Sequence, residues 1–241
     1  AANLYKSFTK FFEVEMEQED VKDSTKETYQ ITLRHLKKYR NPIFFENLDY
    51  ELVRKFDAFL KSKGCSINTR AKHHKNLKKF INLAIKMDLI DINNNPYKLF
   101  KVRKERTTRD FLSPSEILKF ELLEFNEFEA HLSMIRDLFL FCCYTGLRYS
   151  DVSKLAKKNL IKTTEGYKLD MISQKSQKRI LLPLYRLFKT NQEKYSKPER
   201  IVRKYIKIHN IEYDEDPYYD DIPLLKNLKE QHINRELKAL A

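Results

Sequence analysis

Apolar positions recur at helical spacing from the start of the chain. Leu4, Phe8, Phe11 and Phe12 lie three to four residues apart and predict a first helix. Ser24 with Glu27 has the pattern of a capping box ahead of a second stripe, Tyr29, Leu33 and Leu36, which Asn41-Pro42 stops. A third stripe, Leu52, Phe56, Phe59 and Leu60, ends at Gly64, and a fourth covers residues 68 to about 87. Together these predict a small helical bundle. Residues 98–109 follow with no apolar periodicity and read as an extended linker.

A second region starts at Ser113, an N-cap with Pro114 at the first helical position. Helices are expected at 115 to about 125 and at about 130–144, the latter buried because Leu138, Phe139, Leu140 and Phe141 run together. Thr145-Gly146 breaks that helix and Ser150 or Asp151 restarts one. Strands at roughly 168–173 and 179–182, with a lysine-rich turn at 174–178, predict a β-hairpin or a three-stranded sheet. The remainder reads as helical apart from an acidic loop at 212–221. The fold class is therefore mainly α with a small antiparallel sheet, divided into units at 1–105 and 106–241.

Composition narrows the function. With 3 Gly and 7 Pro in 241 residues, a turn-rich sandwich and a glycine-rich nucleotide fold are disfavoured, and 41% hydrophobic residues exclude global disorder. No apolar stretch approaches the ~18 residues of a membrane span, and a cytoplasmic, nucleoid-associated protein is expected. Cys65, Cys142 and Cys143 make a poor disulfide framework, and the adjacent pair reads as small buried hydrophobes.

The net charge of +13 is placed rather than spread: residues 24–109 hold 21 Lys and Arg against 8 Asp and Glu. On the fourth helix Leu77, Phe80, Ile81, Ala84 and Ile85 share one face, and Lys72, Lys75, Lys79 and Lys86 cluster in a narrow arc opposite. A basic stripe backed by a core-facing stripe is the footprint of a helix laid on phosphates, the alternative being a solvated lysine face. Lys101, Arg103, Lys104 and Arg106 in the linker extend the same charge and could follow double-stranded DNA, the alternative being a plain solvated tether. His73 and His74, about 100° apart on a helix, do not converge on a metal and are expected at the surface or on phosphate.

Arg148, just after the glycine-broken helix, offers a planar fork suited to a phosphate, or else pairs with a neighbouring acid such as Asp151. Lys175 at the hairpin turn would project a mobile ammonium. With these residues in view, T-G-L-R-Y-S-D-V at 145–152 resembles the first catalytic arginine box of the tyrosine recombinases, the phage integrase family. Q-K-S-Q-K-R-I-L-L-P-L at 174–184 resembles that family's lysine-bearing hairpin, and the basic helical unit resembles its core-binding (SAM-like) domain. The wording of the arginine box is most similar to integrases of Bacteroidetes mobile elements.

The resemblance implies a site-specific recombinase that clamps duplex DNA between two units and rejoins strands through a 3′-phosphotyrosyl intermediate. In it Arg148 holds the scissile phosphate and Lys175 acts as general acid toward the departing 5′-hydroxyl. Asp151 either orients Arg148 or caps a helix. The resemblance further implies no cofactor and no metal, a homo-tetramer on DNA and a monomer off it.

The family's second box, His-x-x-Arg followed by another His, and its later tyrosine have no match before Ala241. His232 and Arg235 spell His-x-x-Arg but sit in an amphipathic helical pattern. Tyr218 and Tyr219 sit among acids that would repel a phosphate. A C-terminally truncated recombinase that binds DNA without cleaving it is the expectation, the alternative being a non-catalytic helical DNA-binding regulator. RNA-binding strand or loop motifs and a convergent acidic nuclease centre are missing.

Overall fold

The computed structural model describes residues 5–209, 220–225 and 228–240. Leu4, Tyr218 and Tyr219 and most of the expected acidic loop lie outside the described residues. The chain divides into two compact units, Ala1–Arg109 and Asp110–Ala241. Among the described residues no helix is long and apolar enough to cross a membrane.

In the first unit α1 (Phe8–Gln18) starts at Ser7, whose hydroxyl accepts the Lys10 N–H. Its Phe8, Phe11 and Phe12 are completely buried. α2 (Asp23–Tyr39) begins one residue before the expected cap: Lys22 takes the N-cap position, its side chain does not cap the helix, and Ser24 lies inside the first turn. The Ser24–Glu27 capping box is therefore not formed, and the acidic first-turn residue Asp23 favours the helix dipole instead. α3 (Tyr50–Ser62) is capped by Asp49, whose carboxylate accepts the Leu52 N–H at 2.7 Å.

α3 stops at Gly64, which takes φ +78°. The Cys65 N–H donates to Leu60 O and the Gly64 N–H to Lys61 O, the paired bonds that close a helix over a left-handed glycine. α4 (Ile67–Lys86) follows at once from its Ser66 cap. Its apolar face centres on Phe80, stacked on Phe12 with centroids 4.0 Å apart and met edge-on by Tyr29 at 5.2 Å. The linker begins later than the sequence suggests. Phe100 and Val102 pack on this core, and Asn68 exchanges two hydrogen bonds with the Glu105 backbone, both at 3.1 Å.

In the second unit α5 (Pro114–Glu121) has the Ser113–Glu116 capping box and ends four residues short of the expected boundary. α6 (Ala130–Thr145) buries Ile135, Leu138, Leu140, Phe141 and Tyr144 and is half-covered rather than enclosed. Gly146 closes it at φ +68°, and α7 (Tyr149–Val152) follows. The sheet is antiparallel in the order β1 (Leu160–Lys162), β2 (Tyr167–Ile172), β3 (Arg179–Pro183), with Leu169 opposite Leu182 and Ile172 opposite Arg179. Alternate residues Tyr167, Leu169 and Met171 of β2 face the core with Ile135, Phe141 and Val152. α8 (Lys197–Ile208) and α9 (Glu230–Leu240) complete the unit, their Val202, Ile206 and Ile233 in the same core.

At Gly166, between β1 and β2, φ is +146° and an added Cβ would lie 2.6 Å from the Tyr185 Cβ and 2.8 Å from the buried Glu199 carboxylate. Gly166→Ala is expected to destabilise the second unit by about 2 kcal/mol or more, combining backbone strain with overpacking. Chemical denaturation monitored on that unit checks it; an unchanged midpoint would show that the β1–β2 turn can yield.

Candidate nucleic-acid interface

The α4 face opposite Phe80 does not present four equivalent lysines. Lys72, Lys75 and Lys86 are exposed. The Lys79 ammonium is held by Glu19 at 2.6 Å and the Tyr29 hydroxyl at 3.0 Å, and lies over the Tyr29 ring. Lys79 thus braces α4 to the α1–α2 joint, while the other three stand ready for an anion. Lys101, Arg103, Lys104 and Arg106 are exposed on the segment that follows.

A cleft of about 760 Å³ beside this segment adds basic residues that periodicity did not single out: Arg54, Lys61 and Arg70 join Lys101 and Arg103 along it. Arg70 is fixed by Asp57 at 2.5 Å, and its buried Nε has no hydrogen-bond partner. These three come from α3 and the first turn of α4, and only the turn at Gly64 brings them to the linker. Their one sequence signal is the surplus of bases in the whole segment.

The histidines correct the expectation of a surface or phosphate-contacting role: His73 and His74 are 5% and 1% exposed. His74 bridges Tyr97 and Asp57. Burial first, and then neighbouring His35, Lys72 and His74, pull the His73 pKa down to about 4, so its ring is neutral at neutral pH.

In the second unit Arg148 occupies the N-cap position of α7, with φ −74° and ψ 150°. Its backbone oxygen accepts the Asp151 and Val152 N–H groups, and its side chain is exposed with no partner among the described residues. The neighbours on either side hold it in place. Leu147 packs on the core and the Tyr149 hydroxyl donates to Leu228 O. The alternative of a buried Arg148–Asp151 pair is not realised.

Asp151 is 1% exposed and does something else. Its carboxylate accepts the Gln174 N–H at 2.7 Å and lies 3.3 Å from the Ser173 hydroxyl. It is inside α7 and is not its N-cap. The bonds join α7 to the residues immediately before Lys175, so the carboxylate positions the hairpin turn. That turn is closed by Gln177 N–H to Ser173 O and Ser173 N–H to Lys178 O, both 2.9 Å, with Gln177 at φ +55°. Lys154 donates to the Gln174 side chain at 2.9 Å, a second tie. Lys175 itself is exposed at the tip.

His232 and Arg235 lie on α9, where Arg235 contacts both His232 and Glu236. Only Ile233 of that helix is fully buried among the described residues, which is the amphipathic pattern expected of it. The Cys142 and Cys143 thiols are free and partly buried, and burial raises Cys142 to about 12. Neither is a nucleophile at neutral pH.

Residues 7–103 match the phage integrase SAM-like domain family. No curated protein matches the chain in sequence. In structure the chain is similar to lambda integrase in a tetramer bound to a Holliday junction, with a TM-score of 0.72, 14% identity and coverage of 96% of this chain and 61% of that one. It is also similar to a lambda integrase dimer bound to a COC′ core site (TM-score 0.73, 14% identity, 96% and 75% covered). A third likeness is the Tn1549 transposon integrase in complex with circular intermediate DNA (TM-score 0.67, 17% identity, 98% and 79% covered). At these identities the likenesses establish the fold, and the chain spans about 61% of the length of the first lambda integrase chain.

Because a buried carboxylate is satisfied here by a backbone amide and a hydroxyl, removing it should free the turn. Asp151→Ala is expected to cost about 2 kcal/mol, the range for hydrogen bonds to a charged group. It should also speed amide exchange at Gln174 selectively. Retained protection of that amide would refute the anchoring role.

Proposed function

We propose that this chain, whose first unit carries a phage integrase SAM-like domain and whose fold throughout is that of the tyrosine recombinase integrases, is a site-specific DNA recombinase polypeptide. The observation that carries the reading is Arg148, exposed and without a side-chain partner among the described residues, at the N-cap of the short helix whose Asp151 anchors the turn bearing Lys175. Two cationic groups of different chemistry are thereby held on one rigid frame.

Their roles follow from the charge that develops at phosphorus. When a nucleophile attacks a phosphodiester, negative charge grows on the non-bridging oxygens, and a guanidinium offering two parallel N–H donors stabilises it. Arg148 serves that purpose. The departing 5′-oxygen needs a proton, and an ammonium at the end of a flexible stem, Lys175, delivers it as general acid. The attacking group, by resemblance to the family, is a tyrosine forming a 3′-phosphotyrosyl link, and His232, Arg235, Tyr218 and Tyr219 are not assigned to that step. The 241-residue polypeptide therefore binds DNA without cleaving it.

Lys72, Lys75, Lys86 and the 101–106 segment follow the DNA backbone, each contact releasing condensed counterions. Assembly of four chains on two duplexes in the cell's nucleoid, with single chains off DNA, completes the proposal. Its support is the lambda integrase tetramer on a Holliday junction.

Duplex affinity is expected to fall steeply with salt. Lys72→Ala, Lys75→Ala and Lys86→Ala should each lower the slope of log affinity against log salt by about 1. Arg148→Ala should do the same and weaken binding roughly tenfold, ~1.4 kcal/mol. If Arg148→Ala leaves affinity and slope untouched, a non-catalytic helical DNA-binding regulator is the better reading. With nicked suicide duplexes, no covalent protein–DNA adduct should accumulate; adduct formation would show that these 241 residues already contain the nucleophile.

A further inference from the structure

We propose that His35, Cys65 and His73 form a binding site for a thiophilic divalent cation, Zn(II), within the helical unit. One ring nitrogen of each histidine and the Cys65 Sγ all lie within 4.8 Å of one another. The three side chains come from α2, the turn after α3 and α4, so the fold and not local sequence assembles them. His35 and His73 rings are 4.9 Å apart between centroids. His74, the obvious sequence partner of His73, takes no part because both its nitrogens are engaged by Tyr97 and Asp57.

His73 is tied to α2 by a hydrogen bond through one of its ring nitrogens. The Thr32 hydroxyl donates to the Thr28 carbonyl at 3.0 Å and accepts an N–H from the Asn76 side chain at 3.0 Å. Its oxygen also lies 2.9 Å from His73 Nδ1, a hydrogen bond that engages this nitrogen. The other nitrogen, Nε2, is the one open to a metal. Metal-bound histidines are oriented in this way by a second hydrogen bond that fixes the tautomer.

The ligand chemistry selects the ion. Two imidazoles and a thiol suit Zn(II) and not Mg(II) or Ca(II), which take oxygen ligands. Zn–N and Zn–S bonds of about 2.0 and 2.3 Å put tetrahedral ligand atoms ~3.5 Å apart, so three atoms already within 4.8 Å can close on one ion by side-chain rotation. Three protein ligands leave a fourth position for water.

Cys65 is fixed by the helix stop itself, since its N–H donates to Leu60 O beyond left-handed Gly64. On binding, the S–H bond breaks, the proton passes to buffer and a Zn–S bond forms, with no electron transfer. The ion would staple α2 to the α3–α4 turn and so fix the start of the helix that carries Lys72 and Lys75.

Cobalt(II) titration of the reduced 241-residue chain tests this directly. Wild type should develop a thiolate-to-cobalt charge-transfer band and intense four-coordinate ligand-field bands, both displaced by Zn(II). Cys65→Ser should abolish the charge-transfer band while keeping the native circular dichroism. Thr32→Ala should keep it with about tenfold weaker affinity, as loss of an orienting bond does. A Cys142→Ser/Cys143→Ser double variant should bind as wild type does. The proposal is overturned if folded wild type shows no charge-transfer band at saturating cobalt, if the band survives Cys65→Ser, or if it is lost in the double variant. These readouts involve no DNA, so they stand or fall apart from the recombinase reading.

Discussion

A carboxylate taken out of water must be given hydrogen-bond donors, and the way Asp151 receives them organises the second unit. Its donors are the Gln174 N–H and the Ser173 hydroxyl, 23 and 22 residues along the chain. A hairpin tip in isolation frays, because its residues are exposed and its register is set only by the strands behind it. Here the tip is tied to α7, which in turn follows the Gly146 stop of a helix whose Ile135 and Phe141 are fully buried. The exposed Lys175 moves on a short stem above a fixed turn.

The first unit solves a different problem with the same economy of parts. A lysine-rich face repels itself unless the helix is secured by its other side. α4 is secured by Phe80 between Phe12 and Tyr29, and Lys79 adds an ion pair with Glu19 at the margin of that contact. The pair is only partly shielded and contributes little beyond placement. Its importance is geometric: one lysine of the stripe belongs to the packing, and the rest belong to solvent.

What the sequence made legible was whatever repeats with a period. The helical stripes of α1, α3 and α4, the Ser113 cap with Pro114 and the two strands of the hairpin were all read from residue type and spacing, and the described elements match them within a few residues. The 145–152 stretch was legible as a motif, and the SAM-like match and the integrase fold agree with the resemblance it suggested. Illegible were the contacts that depend on how elements cross. Ser24 and Glu27 have the right spacing for a cap, yet the helix starts earlier. His73 and His74 lie beside lysines in sequence, but neighbours 100° apart on a helix face different surroundings, and both turn inward. Arg54, Lys61 and Arg70 join the basic surface only through the turn at Gly64. The link from Asp151 to the hairpin turn spans β1 and β2 and leaves no local trace.

That last contact also explains why Arg148 is free. An arginine three residues before an aspartate on a helix ordinarily has an ion-pair partner within reach. Asp151 is buried and its two oxygens already face Gln174 and Ser173, so drawing it toward Arg148 would strip the hairpin turn of its acceptor. Leaving the part-buried Gln174 amide without this charged acceptor costs about 1–3 kcal/mol at most, against the 0–1 kcal/mol that an exposed ion pair returns. The balance favours the hairpin bond, and the guanidinium stays in solvent with its full charge. A phosphate approaching it has no internal carboxylate to displace, so the same carboxylate that fixes one cation leaves the other unneutralised.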